Sequence, residues 1–179
     1  MKRKIIMITG GQRSGKSRYA EQLAERLSAH PIYMATARIW DAEFAERVRR
    51  HQSRRGDHWT TVEEEKWLSS HDVGGRVVLV DCLTLWSTNF FFDGEDGHQV
   101  PDVAAILRQL EDEFDRFTAQ EATFIFVTNE IGSGGVSENA LQRRFTDLQG
   151  WFNQYVASKS DEVILMVSGI AVKIKNVDC

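Results

Sequence analysis

The chain has 179 residues, 42% of them hydrophobic and 27% charged, with 22 lysines and arginines against 26 aspartates and glutamates for a formal charge of −4. That length can bury one sizeable core, and no composition break marks a linker, so a single soluble domain over 1–179 is expected. The weakly acidic total gives no field for nonspecific nucleic-acid binding, and any basic site must be local.

Lys2, Arg3 and Lys4 precede only Ile5, Ile6, Met7 and Ile8 before Thr9 and Gly10. This apolar stretch is too short for a signal peptide and far too short to span a bilayer. Cys82 and Cys179 are the two cysteines, which excludes a disulfide framework and suits a reduced, buried Cys82. A cytoplasmic protein with no membrane span follows.

In chain order, Ile5 to Thr9 is the first strand, and the stripe Ala20, Leu23, Ala24 and Leu27 predicts a helix after a glycine-rich turn. Ile32 to Thr36 is a second strand. Asp41 can cap a helix running to about Ser53, with Phe44, Val48 and His51 on one face. Trp59 to Val62 and Val77 to Asp81 read as strands, and Leu83, Trp86 and Phe90 predict an unusually apolar helix. After a loop from Asp93 to Pro101, the spacing of Val103, Ile106, Leu107, Leu110, Phe114 and Phe117 predicts another helix. Thr123 to Asn129 is a strand, Ile131 to Asn139 a glycine-rich loop, and Leu141, Phe145, Leu148, Phe152 and Tyr155 a further helical stripe. Val163 to Val167 is the last core strand. Ala171 to Lys175 alternates apolar and basic residues, as in an edge strand whose lysines face water and discourage edge pairing. β-Branched runs alternating with helical stretches predict an α/β fold, a mostly parallel central sheet with helices on both faces.

Gly10-Gly11-Gln12-Arg13-Ser14-Gly15-Lys16-Ser17 matches G-x-x-x-x-G-K-[ST] between the first strand and the first helix. Glycines let backbone amides approach a polyphosphate at the helix N-terminus, Lys16 reaches the outer phosphates and the Ser17 hydroxyl can ligate Mg²⁺. The match, in that context, defines a P-loop nucleotide site. Asp81 closes Val77-Val78-Leu79-Val80, at the strand end where open α/β sheets place ligands. It can hold Mg²⁺ through water, or cap the helix beginning near Leu83. Glu130 also ends a strand and faces the same crevice, with its role open.

Arg47, Arg49, Arg50, Arg54 and Arg55 crowd about His51. A basic run of this kind is commonly a solvated face, and a histidine on an apolar stripe is commonly packed. Nearby cations also disfavour protonation, and a neutral imidazole can attack phosphorus. His58 reads as packed against the strand from Trp59 to Val62. Glu63 ends that strand. Its carboxylate, like that of Asp81, can accept from the adjacent N–H and amine donors of a guanine edge, or Glu63 to Glu65 can simply form a negative helix N-terminus.

Taken together, the sequence resembles the bifunctional adenosylcobinamide kinase/adenosylcobinamide-phosphate guanylyltransferase family of cobalamin biosynthesis. The resemblance covers nearly the whole chain: Thr9 to Ser17, Tyr33 to Arg38, Asp41 and Glu43, then Arg47, His51, Arg55, Trp59, Thr61 and Glu63, Asp81 to Trp86 with Asn89, Val127 to Gly132 with Gly134, Ser137 to Asn139, Asp161 to Val163 and Gly169-Ile170. The chain departs from the family at Ser137 and Ala171, where proline is frequent, and at Thr146, where arginine is common. The resemblance implies a RecA-like P-loop NTPase fold and a homo-oligomer, a trimer, with the segment of Trp86, Phe90, Phe91 and Phe92 as a buried or interface surface. It makes His51 the guanylylated residue, with Lys16 the other catalytic group. Nucleotide contacts fall at Gly10, Gly11, Gln12, Arg13, Ser14, Gly15, Lys16 and Ser17, at Thr36, Ala37 and Arg38, at Gln52, Ser53, Arg54 and Arg55, and at Glu63 and Asp81. Ser17 and Asp81 hold Mg²⁺.

The implied reaction phosphorylates the aminopropanol hydroxyl of adenosylcobinamide with ATP or GTP. GMP then passes from GTP through His51 to give adenosylcobinamide-GDP. Another small-molecule P-loop kinase would use Lys16 and Asp81 but leave His51 unexplained. A RecA-like ATPase acting on nucleic acid would set the arginine run against phosphates and bind polyanions with a steep salt dependence.

Overall fold

A computed structural model describes residues 2–38, 55–93 and 101–176. Seven strands form one sheet: β1 (Lys4–Gly10), β2 (Ile32–Ala35), β3 (Thr60–Glu63), β4 (Val77–Asp81), β5 (Thr123–Val127), β6 (Glu162–Val167) and β7 (Ile170–Asn176), in the order β3-β2-β4-β5-β1-β6-β7. All neighbours are parallel except β6 and β7. The helices are α1 (Lys16–Leu27), α2 (Leu83–Phe91), α3 (Val103–Thr118) and α4 (Ala140–Lys159).

The central strands are apolar throughout because both of their faces are covered, as parallel sheets require. Alternate residues enter different cores. Ile5 and Met7, Val78 and Val80, and Phe124 and Phe126 face the side of α2, α3 and α4. Ile6 and Ile8, Val77 and Leu79, and Ile125 and Val127 face Ala20 and Ala24 of α1. The first core is aromatic, with Phe114 5.1 Å from Phe126 and Phe117 5.0 Å from Phe124 between ring centroids. Ring pairs at such separations add attraction beyond the area they bury. On the α1 side, two alanines allow the helix to lie close to the strands.

Helix starts differ in a way that matters. Asp102 caps α3 by accepting from the Ala105 amide, and Asn139 caps α4 by accepting from Leu141 and Gln142. α1 follows Gly15 at φ 96° with no side-chain cap, so its first amides are left for another acceptor.

The expected strands and helices within the described residues are present, with boundary shifts. β5 stops at Val127 on its β4 side, where the Asn129 amide donates to Thr84 Oγ1 at 3.0 Å, while on the β1 side the Thr128 amide still donates to the Ile8 carbonyl at 3.0 Å. The segment of Trp86, Phe90 and Phe91 is buried in the core, while Phe92 is half exposed. The outer strand bears out one lysine and corrects the other. Lys173 is exposed and pairs with Glu162 at 2.6 Å, whereas the half-buried Lys175 donates to the Ala157 and Ser158 carbonyls at the end of α4 and so turns back onto the body. Ile170, Val172 and Ile174 are exposed as well. The helix expected from Asp41 to Ser53 and the middle of the loop after Asp93 lie outside the described residues.

Candidate nucleotide site

The strand order brings the carboxyl ends of β1, β5, β4, β2 and β3 into one crevice, where an open parallel sheet presents its ligand site. At β1, the chain turns sharply. A Cβ on Gly10 would lie 2.4 Å from the Met166 carbonyl oxygen, and Gly10 adopts φ 149°, so only glycine fits. Arg13 also has positive φ, at 60°. The Gly169 amide donates to the Ser14 carbonyl at 2.9 Å, so the β6–β7 turn braces one flank of the loop. On the other flank, the Glu130 amide donates to the Gly10 carbonyl at 3.1 Å.

Lys16 is 6% exposed, and its Nζ donates to the Gly11 carbonyl at 2.6 Å, clasping the loop from inside. Burial lowers its pKa from the usual 10.5, against the pull of Cys82 and Asp81 nearby. Ser17 follows in the first turn of α1, half buried. Gln12 and Arg13 are exposed, and Ser14 is buried.

Asp81 ends β4 with only β5 between it and the loop strand, and Tyr33 Oη donates to its Oδ2 at 3.2 Å. Burial, and next the charge of Asp81, raise the Tyr33 pKa well above 10, which keeps the phenol a donor. The Arg55 guanidinium lies over the Tyr33 ring, 3.4 Å from its centroid, and its Nη1 is 3.7 Å from Glu21 Oε1 of α1. Arg55 is thereby brought to the crevice wall by a residue from β2 and another from α1.

Thr36 to Arg38 leave β2 beside Asp81, since Ala35 is in register with both Asp81 and Glu63. Thr36 Oγ1 donates to the Cys82 carbonyl, Asn89 Nδ2 donates to the carbonyls of Thr36 and Glu65, and Arg38 Nε donates to Glu65 Oε2 at 2.7 Å. Ala37 is half buried and Glu63 is exposed at the far edge strand. His51, Gln52, Ser53 and Arg54 lie outside the described residues. His58 corrects an expectation: it is exposed, with Nε2 3.4 Å from Glu25 Oε1. The Tyr33 hydroxyl, Glu21, Asn89 and Gly169 were given no role by the sequence, because their partners are distant in the chain.

Two open clefts flank this region. One of about 310 Å³ lies along α1, lined by Arg18, Glu21, Gln22, Glu25 and Arg55. The other, of about 440 Å³, begins at Ile131 and is walled by Phe92, Leu141 and Phe145 with the polar Ser137, Asn139 and Gln142.

Parallel sheet, glycine-rich turn, inward lysine and uncapped helix start define a P-loop nucleoside-triphosphate-binding protein. The same fold recurs in a prototypical ATPase from the type III secretion system of pathogenic bacteria, with a TM-score of 0.57 at 10% identity over 95% of this chain and 56% of that one. A second solved structure, an isolated ATPase domain, gives a TM-score of 0.51 at 9% identity over 98% of this chain and 78% of that one. At those identities the likeness is one of fold.

Residues 6–174 match the family described as cobinamide kinase / cobinamide phosphate guanyltransferase. The bifunctional adenosylcobalamin biosynthesis protein CobU of Salmonella typhimurium is 40% identical over 96% of this chain and 99% of its own length. The corresponding CobP protein of Pseudomonas aeruginosa is 38% identical over 94% and 96%. The chain belongs to the cobinamide kinase / cobinamide phosphate guanyltransferase family, and is an enzyme that uses nucleoside triphosphates in cobalamin biosynthesis.

Proposed function

We propose that one domain and one nucleotide site carry both transfers: phosphorylation of adenosylcobinamide by ATP or GTP, then transfer of GMP from GTP through guanylylated His51 to give adenosylcobinamide-GDP. The observation that carries this reading is the meeting of Lys16 and Asp81 in one crevice, Lys16 at the start of the helix that follows β1 and Asp81 at the end of β4, with β5 between those strands. The α1 amides and the Lys16 ammonium cradle the phosphates of a nucleotide held by the loop from Gly10 to Ser17. A buried ammonium there stabilises charge that grows on the leaving oxygens in either transfer.

Mg²⁺ fits the donors present. Among the described residues no group of three acidic, histidine or cysteine side chains could hold a metal alone. Mg²⁺ needs less, since it keeps several waters and takes one or two carboxylates with phosphate oxygens. Asp81 and Ser17 are such a set, and bound there the ion would neutralise phosphate charge. The Tyr33 hydroxyl orients Asp81, and Arg55 lends the wall a fixed cation. Thr36, Ala37, Arg38, Gln52, Ser53 and Arg54 complete the nucleotide contacts, and Glu63 reads the guanine edge.

The chain acts on small molecules in the cytoplasm and assembles as a homo-oligomer, a trimer. The exposed Ile170, Val172 and Ile174 on the outer strand support self-association, and no helix among the described residues is long and apolar enough to cross a membrane. Incubation with adenosylcobinamide, ATP and GTP, followed by chromatography of the corrinoid, tests the reading. The expected products are the phosphate and then the GDP derivative. A corrinoid left unmodified, with no α-label from GTP on the denatured protein, would refute it.

A further inference from the structure

Only one of the two proposed transfers begins with an O–H bond. In the kinase step the acceptor is a neutral hydroxyl, which must lose its proton as its oxygen bonds to the γ-phosphorus. In the guanylyl steps the nucleophiles are a neutral imidazole and then a phosphate ester, whose second ionisation near pKa 6 leaves it anionic at neutral pH. The site therefore needs a proton acceptor that serves the first transfer alone.

Among the described residues, five carboxylates stand at or just beyond the strand ends of the crevice. Asp81 accepts from Tyr33 and lies where a nucleotide-borne cation would take it. Glu64 Oε1 accepts from the amides of Lys66 and Trp67, and its Oε2 is 3.3 Å from His71 Nε2. Glu65 accepts from Arg38. Glu63 stands on the edge strand, four places from β1 in the sheet. Glu130 and Glu63 are both exposed, and among the described residues neither carboxylate has a hydrogen-bond or ion-pair partner, but Glu130 alone of the two adjoins the P-loop strand.

Its position is set by the loop itself. β5 lies directly between the P-loop strand and the Asp81 strand, and the Glu130 amide is bonded to the Gly10 carbonyl. The β6–β7 turn closes the opposite flank through Gly169 and Ser14. An acceptor that reaches the outer phosphate over the flank opposite that turn passes Glu130. There the 440 Å³ cleft begins at the next residue, Ile131. The carboxylate is uncrowded on the Gly132 side, where even an added Cβ would come no nearer than an ordinary contact of 3.6 Å to Glu130 Oε1.

We propose that Glu130 is the general base of the kinase step, a catalytic residue that takes the proton of the acceptor hydroxyl. The hydroxyl oxygen forms its bond to the γ-phosphorus while the bond from that phosphorus to the bridging oxygen breaks. The electron pair leaves on the β-phosphate of the departing nucleoside diphosphate, and the proton passes to the Glu130 carboxylate and then to water. This rests on the kinase reading of the same site.

The test is Glu130→Gln, with Glu130→Asp as the conservative partner, assayed for three quantities: kcat for phosphorylation of adenosylcobinamide, nucleotide affinity, and protein labelling by α-labelled GTP. A positioned base contributes about 10²- to 10⁴-fold, so the glutamine variant should lose at least about 100-fold in kinase kcat while nucleotide affinity and labelling stay at wild-type levels. The aspartate variant should recover part of the rate. An unchanged kinase kcat would overturn the proposal, as would an equal loss of all three quantities in both variants, which would mark Glu130 as a brace of the loop. Wild-type protein that takes the label yet phosphorylates no acceptor would overturn the kinase reading itself.

Discussion

The Arg55 guanidinium lies 3.4 Å from the centroid of the Tyr33 ring, whose hydroxyl donates to Asp81. The Arg55 side chain is 4% exposed, so the stacking is desolvated and stronger than its surface equivalent. A double-mutant cycle of Tyr33→Leu and Arg55→Met, read by urea unfolding, should give a coupling of about 0.5 to 2 kcal/mol. Additive losses would mean that the two side chains pack independently.

Lys16→Met should separate chemistry from folding. Methionine fills the space of the stem and removes a buried charge, a change that is often neutral or stabilising. The melting temperature should hold, while both transfers fall by at least about 100-fold, as for loss of a charge-stabilising group. Near-normal kinase turnover in the folded variant would show that the two transfers do not share Lys16.

His51→Ala should divide the activities in the sense opposite to Glu130→Gln. Phosphorylation survives, because it needs no covalent protein intermediate, and GMP transfer is lost. Wild-type protein should keep the label of α-labelled GTP after denaturation, as an acid-labile and base-stable adduct, and should keep none from γ-labelled GTP. A folded His51→Ala protein that still acquires the α-label would pass the nucleophile's role to another side chain, with His58 the next to examine.

Glu162 sets an acid limit on stability. Hydrogen bonds first from Lys173 and then from Lys4 hold its carboxyl below the usual 4.5. A depressed acid stabilises the fold above its unfolded-state pKa, and that contribution disappears as pH falls through the folded-state value. The urea midpoint of the wild type should therefore exceed that of Glu162→Gln near neutrality, and the gap should close as the pH is taken below about 4.5. A gap independent of pH would mean that the glutamate acts by packing alone.

The sequence was most informative where chemistry is local. The P-loop, the acid that closes β4 and the apolar runs of the central strands are each written in consecutive residues. What it concealed depends on distant partners. Period-2 alternation in β7 separates its lysines from its isoleucines without saying that Lys175 turns back to α4 while Lys173 stays exposed, because the pattern does not reveal where the neighbouring helix ends. Likewise, nothing near Tyr33 announces that Arg55 will stack on its ring, since that contact is made by the return of the chain from β3's approach to β2. Glu130 was legible as a strand end, but its place beside the P-loop emerged only with the strand order and the bond from its amide to the Gly10 carbonyl.

The bond from the Gly169 amide to the Ser14 carbonyl ties the phosphate-gripping loop to the same hairpin that offers Ile170, Val172 and Ile174 to the outside. A subunit seated along that hairpin and a nucleotide seated in the loop act on opposite ends of one peptide contact. To the extent that either tightens it, thermodynamic reciprocity requires that assembly favour nucleotide by the same factor by which nucleotide favours assembly.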